Sequence, residues 1–341
     1  MVLRLDQIEG IKANLYSWYY ESKEKIYDKL PNYWKKISEQ ASFSEIKGGY
    51  WKGTSSLGAM ELEDRTSLGQ YSEDTPQEGF TVFGTIKDKA LKIQVPREFK
   101  RDWHRTEDFL KDQVKGNWPK AVEVTKEQLV ANMYNFGGYT SGDDIFDNDD
   151  SGISLTTYAS PKKAYDGKPF LNLTNNKRSA KFESASNYYN AVAVTTGDLS
   201  AGVTYDNAKD MWNLLTSTNN RSDSGKYFDN SQNVSILCHT RLKLDWDVIN
   251  NSTLNPDNAM NPTNPLKGAF REIIANPYLN TNTFSAFVRG GIAGVRVWFS
   301  EPIFNFWEKY DPKTYWASVV LDYAIAVINW RPVVVNNAPE S

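Results

Sequence analysis

The sequence predicts an α+β protein, and three observations predict it. One long amphipathic helical pattern runs from Thr106 to Gly138. Short, glycine-punctuated strand-like runs precede it between Ala41 and Ile86. After it comes a mixed helix-and-strand segment, and strand-like runs return at Gly294–Phe299 and Ser318–Ile328. Strand, long helix, inserted unit and return strands describe an α+β layout whose first domain is discontinuous in sequence.

The helical pattern is supported at both ends. Thr106 suits an N-cap, and Glu107 and Asp108 suit the positive end of the helix dipole. Phe109, Leu110 and Val114, then Leu129, Val130, Met133 and Phe136, recur at helical spacing. Gly137-Gly138 supplies the stop. The weak point is Gly116 to Pro119, because proline cannot donate the hydrogen bond an interior position needs. Thr125 with Gln128 also fits a capping box. The stretch therefore reads as one kinked helix or two collinear ones, about 45 Å long if continuous.

Before it, residues Met1 to about Ser38 hold a helix-like pattern rich in aromatics: Tyr16, Trp18, Tyr19, Tyr20, Tyr27 and Trp34. Such a stripe suits either an arm packing on another chain or a helix folded on its own domain. From Ala41 to Ile86, Tyr50-Trp51 and Phe80–Phe83 flank a polar, acidic tip, which reads as an extended hairpin. Leu91, Ile93 and Val95 alternate with polar residues as a strand ending at Pro96. Beyond Ser184 a new unit begins. In it Tyr205–Leu215 and Thr240–Ile249 read as helices, and Val234–Cys238 as a short buried strand.

The totals narrow the function classes. A chain of 341 residues buries a substantial core and usually holds two domains. Net charge is −3 with both signs interspersed, against the basic face of a dedicated nucleic-acid binder. Mean hydropathy is −0.58, and the most apolar stretch, Trp316 to Trp330, is interrupted by Asp322, so no membrane span is expected. The opening MVLRLDQIEGIK lacks the continuous apolar segment of a signal peptide. The single cysteine, Cys238, excludes an internal disulfide and a cysteine-rich zinc site. Eleven Trp, 19 Tyr and 16 Phe exceed what one core needs, and point to subunit interfaces or a carbohydrate surface.

Motifs for chemistry are few. Asp147, Asp149 and Ser151 stand at positions one, three and five of a calcium-loop opening with Gly152 at six. Position twelve, where a bidentate Glu belongs, is Tyr158, so an acidic turn is the stronger reading. Cys238 and His239 are adjacent, which on a strand sends their side chains to opposite faces. Phosphate-binding glycine motifs are missing, and no catalytic pair of carboxylates can be nominated. No enzyme activity and no cofactor are assigned.

Several stretches taken together resemble the major capsid proteins of tailed bacteriophages, in particular the Mu-like major head subunit group. The residues are Thr125-Lys126-Glu127 with Ala131 and Asn135; Asp166 to Leu171, followed by Ser186-Asn187; Asn261, Asn264, Leu266-Lys267-Gly268, Ile274, Pro277 and Leu279; and Tyr323 through Asn329-Trp330-Arg331. Their order spans roughly residues 45 to 335. The chain departs from the family pattern at Asn172-Leu173-Thr174, at Phe284 to Phe287, and at Asn329, where the family has Asp.

The resemblance implies a Hong Kong 97-like capsid fold. Its parts would be an N-terminal arm (1–40), an extended loop (41–88), a peripheral domain (89–184 and 295–341) with a spine helix at about 106–137, and an axial domain (185–294). It implies self-assembly into hexamers and pentamers of an icosahedral shell around packaged double-stranded DNA, in a virion assembled in the host cytoplasm. Portal, scaffold and decoration proteins are the implied partners. Trp18, Tyr19, Trp34, Tyr50, Trp51, Tyr71 and Phe80 are the expected contacts between subunits, and the N-terminus is expected to be retained. An encapsulin-like nanocompartment shell and a carbohydrate-active protein are the competing readings.

Overall fold

The computed structural model describes residues 5–25, 32–41, 46–47, 50–56, 78–95, 103–135, 164, 168–172, 177–179, 186–192, 203–221, 227, 229–255, 262–279, 285–289, 294–310 and 313–336. The chain forms two compact units. One is Met1–Asn32 with Thr85–Gln128 and Trp298–Ala324; the other is Tyr33–Gly84 with Leu129–Val297 and Ile325–Ser341. Helices and mixed sheets make the fold α+β, as the sequence predicts.

In chain order, helix α1 (Leu5–Lys25) leads to a single turn, α2 (Trp34–Ile37), and to strands β1 (Glu39–Gln40) and β2 (Ile46–Lys47). Strands β3 (Tyr50–Ser56) and β4 (Glu78–Thr85) lie side by side in a sheet of order β2-β3-β4, and β4 runs through Ile86 into β5 (Lys87–Gln94). Helices α3 (Trp103–Gly116) and α4 (Trp118–Asn135) follow. Next come β6 (Arg178–Ser179), β7 (Ser186–Tyr188), β8 (Ala191–Val192), α5 (Tyr205–Asn213), β9 (Val234–Cys238) and α6 (Lys243–Asn251). Strands β10 (Glu272–Ala275), β11 (Ser285–Arg289), β12 (Val295–Phe299), β13 (Ile303–Tyr310), β14 (Lys313–Val327) and β15 (Val333–Asn336) complete the chain.

The long helical pattern is two helices meeting at Asn117. Helical hydrogen bonds continue through the junction, Asn117 N–H to Gln113 C=O and Ala121 N–H to Asn117 C=O, each 2.9 Å. Pro119 lies just past the junction, and the Lys115 carbonyl that its missing N–H would serve accepts the Ser22 hydroxyl at 2.6 Å. The Thr125 hydroxyl donates back to the Ala121 carbonyl at 2.7 Å instead of capping a new helix, so no helix starts there.

In the first unit, β14 lies between β13 and β5, both antiparallel to it, with Phe306↔Ala317↔Ile93 and Phe304↔Val319↔Leu91 in register. The inner face of these strands carries Phe304, Phe306, Tyr315, Ala317 and Val319, all buried. Against it pack Ile11, Leu15 and Tyr19 of α1, spaced four apart on one helical face. Leu110 and Val114 of α3 and Trp118 and Val122 of α4 close the cluster. Phe304 is its centre: Trp118 stacks on it at 5.6 Å, and Tyr16 and Tyr19 approach at 4.7 and 5.0 Å. Each such pair adds about 0.5–1.5 kcal/mol beyond area burial. The α1 helix is therefore folded on its own chain, the second of the two readings its aromatic stripe allows.

In the second unit a five-stranded sheet has the order β10-β9-β11-β15-β8. β10 runs parallel to β9, whereas β11 is antiparallel to β9 and β15. All five residues of β9 are buried, which suits an apolar central strand covered on both faces. Met211 and Leu215, Trp246 and Ile249, Phe270, Phe287 and Val334 form the core around it. Thr204 caps α5, accepting from Asn207 N–H at 3.3 Å. That helix widens into a π-turn over Leu214–Thr218. The Asn230 amide donates to the Leu215 and Asn219 carbonyls at 3.2 and 2.9 Å, giving this wider turn the partners it would otherwise lack.

Candidate functional site

Two buried amide joints hold the loops of the second unit, and the motif residues meet in them. The first is Asn190, fully buried just after β7. Its side-chain nitrogen donates to the Phe170 carbonyl at 2.9 Å and the Trp330 carbonyl at 3.3 Å. Its side-chain oxygen accepts from Asn172 N–H at 2.8 Å, and its own N–H donates to the Asn172 carbonyl at 3.1 Å. One asparagine thus ties together the Asp166–Leu171 motif, the segment after Ser186-Asn187, and the Asn329–Arg331 motif.

Arg178, also fully buried, lies beside it. Its guanidinium donates to the Pro169 carbonyl and, at 3.2 Å, to that of Phe170. It sits over the Trp330 indole at 4.9 Å, and the Arg331 guanidinium lies 4.6 Å from the same ring. Gly294 completes the packing, since a Cβ there would come within 2.7 Å of the Asn329 carbonyl oxygen.

The second joint is Asn264. Its amide donates to the Ile249 and Ser252 carbonyls at 2.7 and 3.0 Å, closing the C-terminus of α6, while its oxygen accepts from Leu266 N–H at 2.9 Å. Gly268 takes φ +69°, the left-handed conformation that glycine adopts freely, and donates to the Asn250 carbonyl at 2.8 Å. At the end of α4, Asn135 donates to the Tyr278 carbonyl at 3.1 Å. These side-chain amides donate to backbone carbonyls. Chemically they are structural ties.

The expected contact residues divide. Trp18 is half-buried against the first unit's core. Tyr19 is fully buried there and Trp34 is 4% exposed, so neither ring has surface left for a neighbouring subunit; both serve the chain's own core. Tyr50, Trp51 and Phe80 lie on β3 and β4, with side chains outside the described residues. Tyr71 and the Asp147, Asp149 and Ser151 positions also fall outside them. Among the described residues no group of three His, Cys, Asp or Glu side chains is placed to hold a metal, and no helix is long and apolar enough to cross a membrane.

Cys238 is buried on β9, and burial pushes its thiol up to about 12. His239 caps the next turn, its Nδ1 accepting from Arg241 N–H at 3.2 Å. The pair forms no catalytic contact.

What the sequence reading missed is exposed apolar surface. Leu244 and Val248 on α6 are 73% and 52% exposed, and Ile303 and Trp307 on β13 are 44% and 40% exposed. In both elements the opposite face is also apolar (Trp246 and Ile249; Phe304 and Phe306), so neither shows a one-sided pattern.

No family model and no curated protein matches the chain. Solved structures do, at low identity. The capsid of an empty GTA particle is 14% identical over 88% of this chain and 87% of its own, with a TM-score of 0.47. The capsid of Ralstonia phage GP4 is 11% identical over 88% and 86%, with a TM-score of 0.48. A virus-like particle from Pyrococcus furiosus is 10% identical over 98% and 100%, with a TM-score of 0.46. The chain resembles capsid and particle shells.

Proposed function

We propose that the chain is the major capsid protein of a tailed bacteriophage, with a Hong Kong 97-like fold. Its copies gather as hexamers and pentamers that close into an icosahedral shell around the packaged double-stranded DNA. The observation that supports this is the way the capsid-like motifs meet. Residues from Phe170 to Trp330 that resemble the family in sequence are drawn together on one buried asparagine, so they belong to one structural plan. The order of elements fits the same reading: N-terminal helix, strands β3 and β4 of the extended loop, the α3–α4 spine, an inserted α/β unit and return strands. The work of such a subunit is mechanical, and its partners are further copies of itself, with portal and scaffold proteins beside them. Trp18, Tyr50, Trp51, Tyr71 and Phe80 are the aromatic anchors this reading offers to a neighbour.

Expression of the full chain, alone and with any scaffold, followed by electron microscopy and light scattering, tests the proposal. Closed shells of uniform size are expected. A monomer that persists across salt and concentration overturns it. Replacing Gly58–Pro76 by a short Gly-Ser link should leave a folded subunit that no longer closes shells.

A further inference from the structure

We propose that β13 is a twofold docking edge along which two copies of the chain pair antiparallel, with Asn305 of one opposite Asn305 of the other. This rests on the reading that the chain assembles with itself, and adds where and in what register. β13 pairs with β14 on one side only; among the described residues no strand lies along its other side. Eight residues of edge strand leave a row of backbone groups able to template another strand.

Phe304 fixes which groups those are. Its N–H reaches the Tyr16 hydroxyl at 3.4 Å and so points away from β14. In an antiparallel ladder a residue bonds one neighbour with both its backbone groups, and alternate residues share a direction. Phe304 and Phe306 therefore face the open edge, while Ile303, Asn305 and Trp307 bond toward β14.

The strand is complementary to itself. Turned antiparallel about Asn305, Glu301-Pro-Ile-Phe-Asn-Phe-Trp-Glu-Lys309 sets Phe304 opposite Phe306 of the second copy, both with backbone groups turned to the edge. Ile303 falls opposite Trp307, the two half-exposed apolar residues of the solvent face. Glu301 falls opposite Lys309, and both are exposed on the single chain. Apolar and opposite-charge cross-strand pairs stabilise such a ladder, and a twofold contact makes every pair twice. A slip of two residues in either direction breaks this: Glu301 then faces Trp307, or Lys309 faces Ile303. The pairing is specific to a second copy, because only self-pairing makes use of the symmetry about Asn305. The Tyr16 hydroxyl occupies the Phe304 N–H until the second strand replaces it.

Asn305→Cys tests this directly. A residue on the twofold meets itself, and directly opposed residues that do not bond each other lie about 4.5 Å apart at Cα, within disulfide reach. The full chain carrying Asn305→Cys is oxidised, run on a non-reducing gel and imaged by electron microscopy from the same sample. Ala90→Cys, exposed on β5 of the same sheet, is the control. The expected result is a covalent dimer from Asn305→Cys and little from Ala90→Cys. Adding Glu301→Lys should cut the dimer several-fold, and adding Lys309→Glu as well should restore it. Shells without the dimer would overturn the docking edge and leave the assembly reading intact. A dimer without shells would support the edge and count against the shell. A dimer indifferent to charge reversal would overturn the register.

Discussion

Replacing Asn190 tests whether the motif residues serve as a structural joint. Asn190→Ala removes two donors and one acceptor from a fully buried position. It leaves the Phe170 and Trp330 carbonyls and the Asn172 N–H without those partners. The Phe170 carbonyl keeps its bond from Arg178 at 3.2 Å and the Trp330 carbonyl its bond from Val333 N–H at 3.3 Å, so the variant loses three hydrogen bonds without stranding three groups. At about 0.5–1.5 kcal/mol each, the loss comes to roughly 2–4 kcal/mol. That is a large share of the ~5–15 kcal/mol typical of a folded protein. Urea unfolding of the dissociated full-length chain should show a lower midpoint with an unchanged slope.

The isosteric Asn190→Asp variant sharpens the test. At neutral pH it keeps the acceptor for Asn172 but turns a carboxylate toward two carbonyls, so it should be at least as damaging as the alanine variant. Burial and the facing carbonyls raise that carboxyl's folded pKa above its unfolded value of about 3.9. Once protonated it donates again, so the loss is present at high pH and recedes as pH falls through the raised folded pKa. A loss below about 1 kcal/mol for the alanine variant, or an aspartate variant with no pH dependence, would refute the joint.

Other expectations follow from single contacts. Lys115 and Lys25 hold the Glu21 carboxyl down at about 2, so its pairing with them is intact above the ordinary value of 4.5 and fades as pH falls from there toward 2; Glu21→Gln should remove that part of the acid sensitivity in a pH titration of unfolding. Cys238, buried and with its thiol raised to about 12, should resist alkylation in the native protein and react once urea unfolds it, as mass spectrometry can follow. Gly294→Ala should lower the unfolding midpoint by the equivalent of about 1–3 kcal/mol, because its Cβ meets the Asn329 carbonyl at 2.7 Å and a Val333 methyl at 3.0 Å; an unchanged midpoint would mean that the Asn329 turn gives way freely.

Elements with a one-sided apolar rhythm were legible in the sequence. The α3–α4 pair is marked by Leu110, Val114, Leu129, Val130 and Met133, and its break by Pro119. The strand at β5 shows in the alternation of Leu91, Ile93 and Val95, and β9 in the short apolar run Ile236-Leu237-Cys238. The capping box at Thr125 was a local signal that the packing of α4 overrode. β13 went unread because Ile303-Phe304-Asn305-Phe306-Trp307 is apolar on both faces, which erases the period of two. The role of α1 stayed open because burying Tyr19 against its own sheet and against another chain require the same side chain. The Asn190 joint was illegible for a different reason. Its partners lie 20 and 140 residues away, and a polar side chain that bonds carbonyls leaves no periodic trace.

Both units have aromatic cores, but the second adds buried amide joints, and on the shell-forming reading proposed above that difference matters for assembly. In the first, an aromatic cluster around Phe304 does most of the work. Such packing is strong but weakly directional, and volume-conserving changes in it are tolerated best. In the second, Asn190, Asn230 and Asn264 each join segments through carbonyls that regular structure leaves open. A buried amide accepts only a narrow range of distances and angles, so these joints set loop geometry as well as adding stability. The position of a loop decides whether neighbouring copies fit, and an error repeated in every subunit would accumulate around a closed ring. Substitutions at the three asparagines should therefore spoil shell uniformity at losses of stability that still leave the subunit folded. Core substitutions of equal thermodynamic cost, such as trimming Val114, should lower yield while the shells that form stay regular. Electron microscopy of variants matched in unfolding midpoint separates the two, and equal irregularity in both sets would refute the distinction.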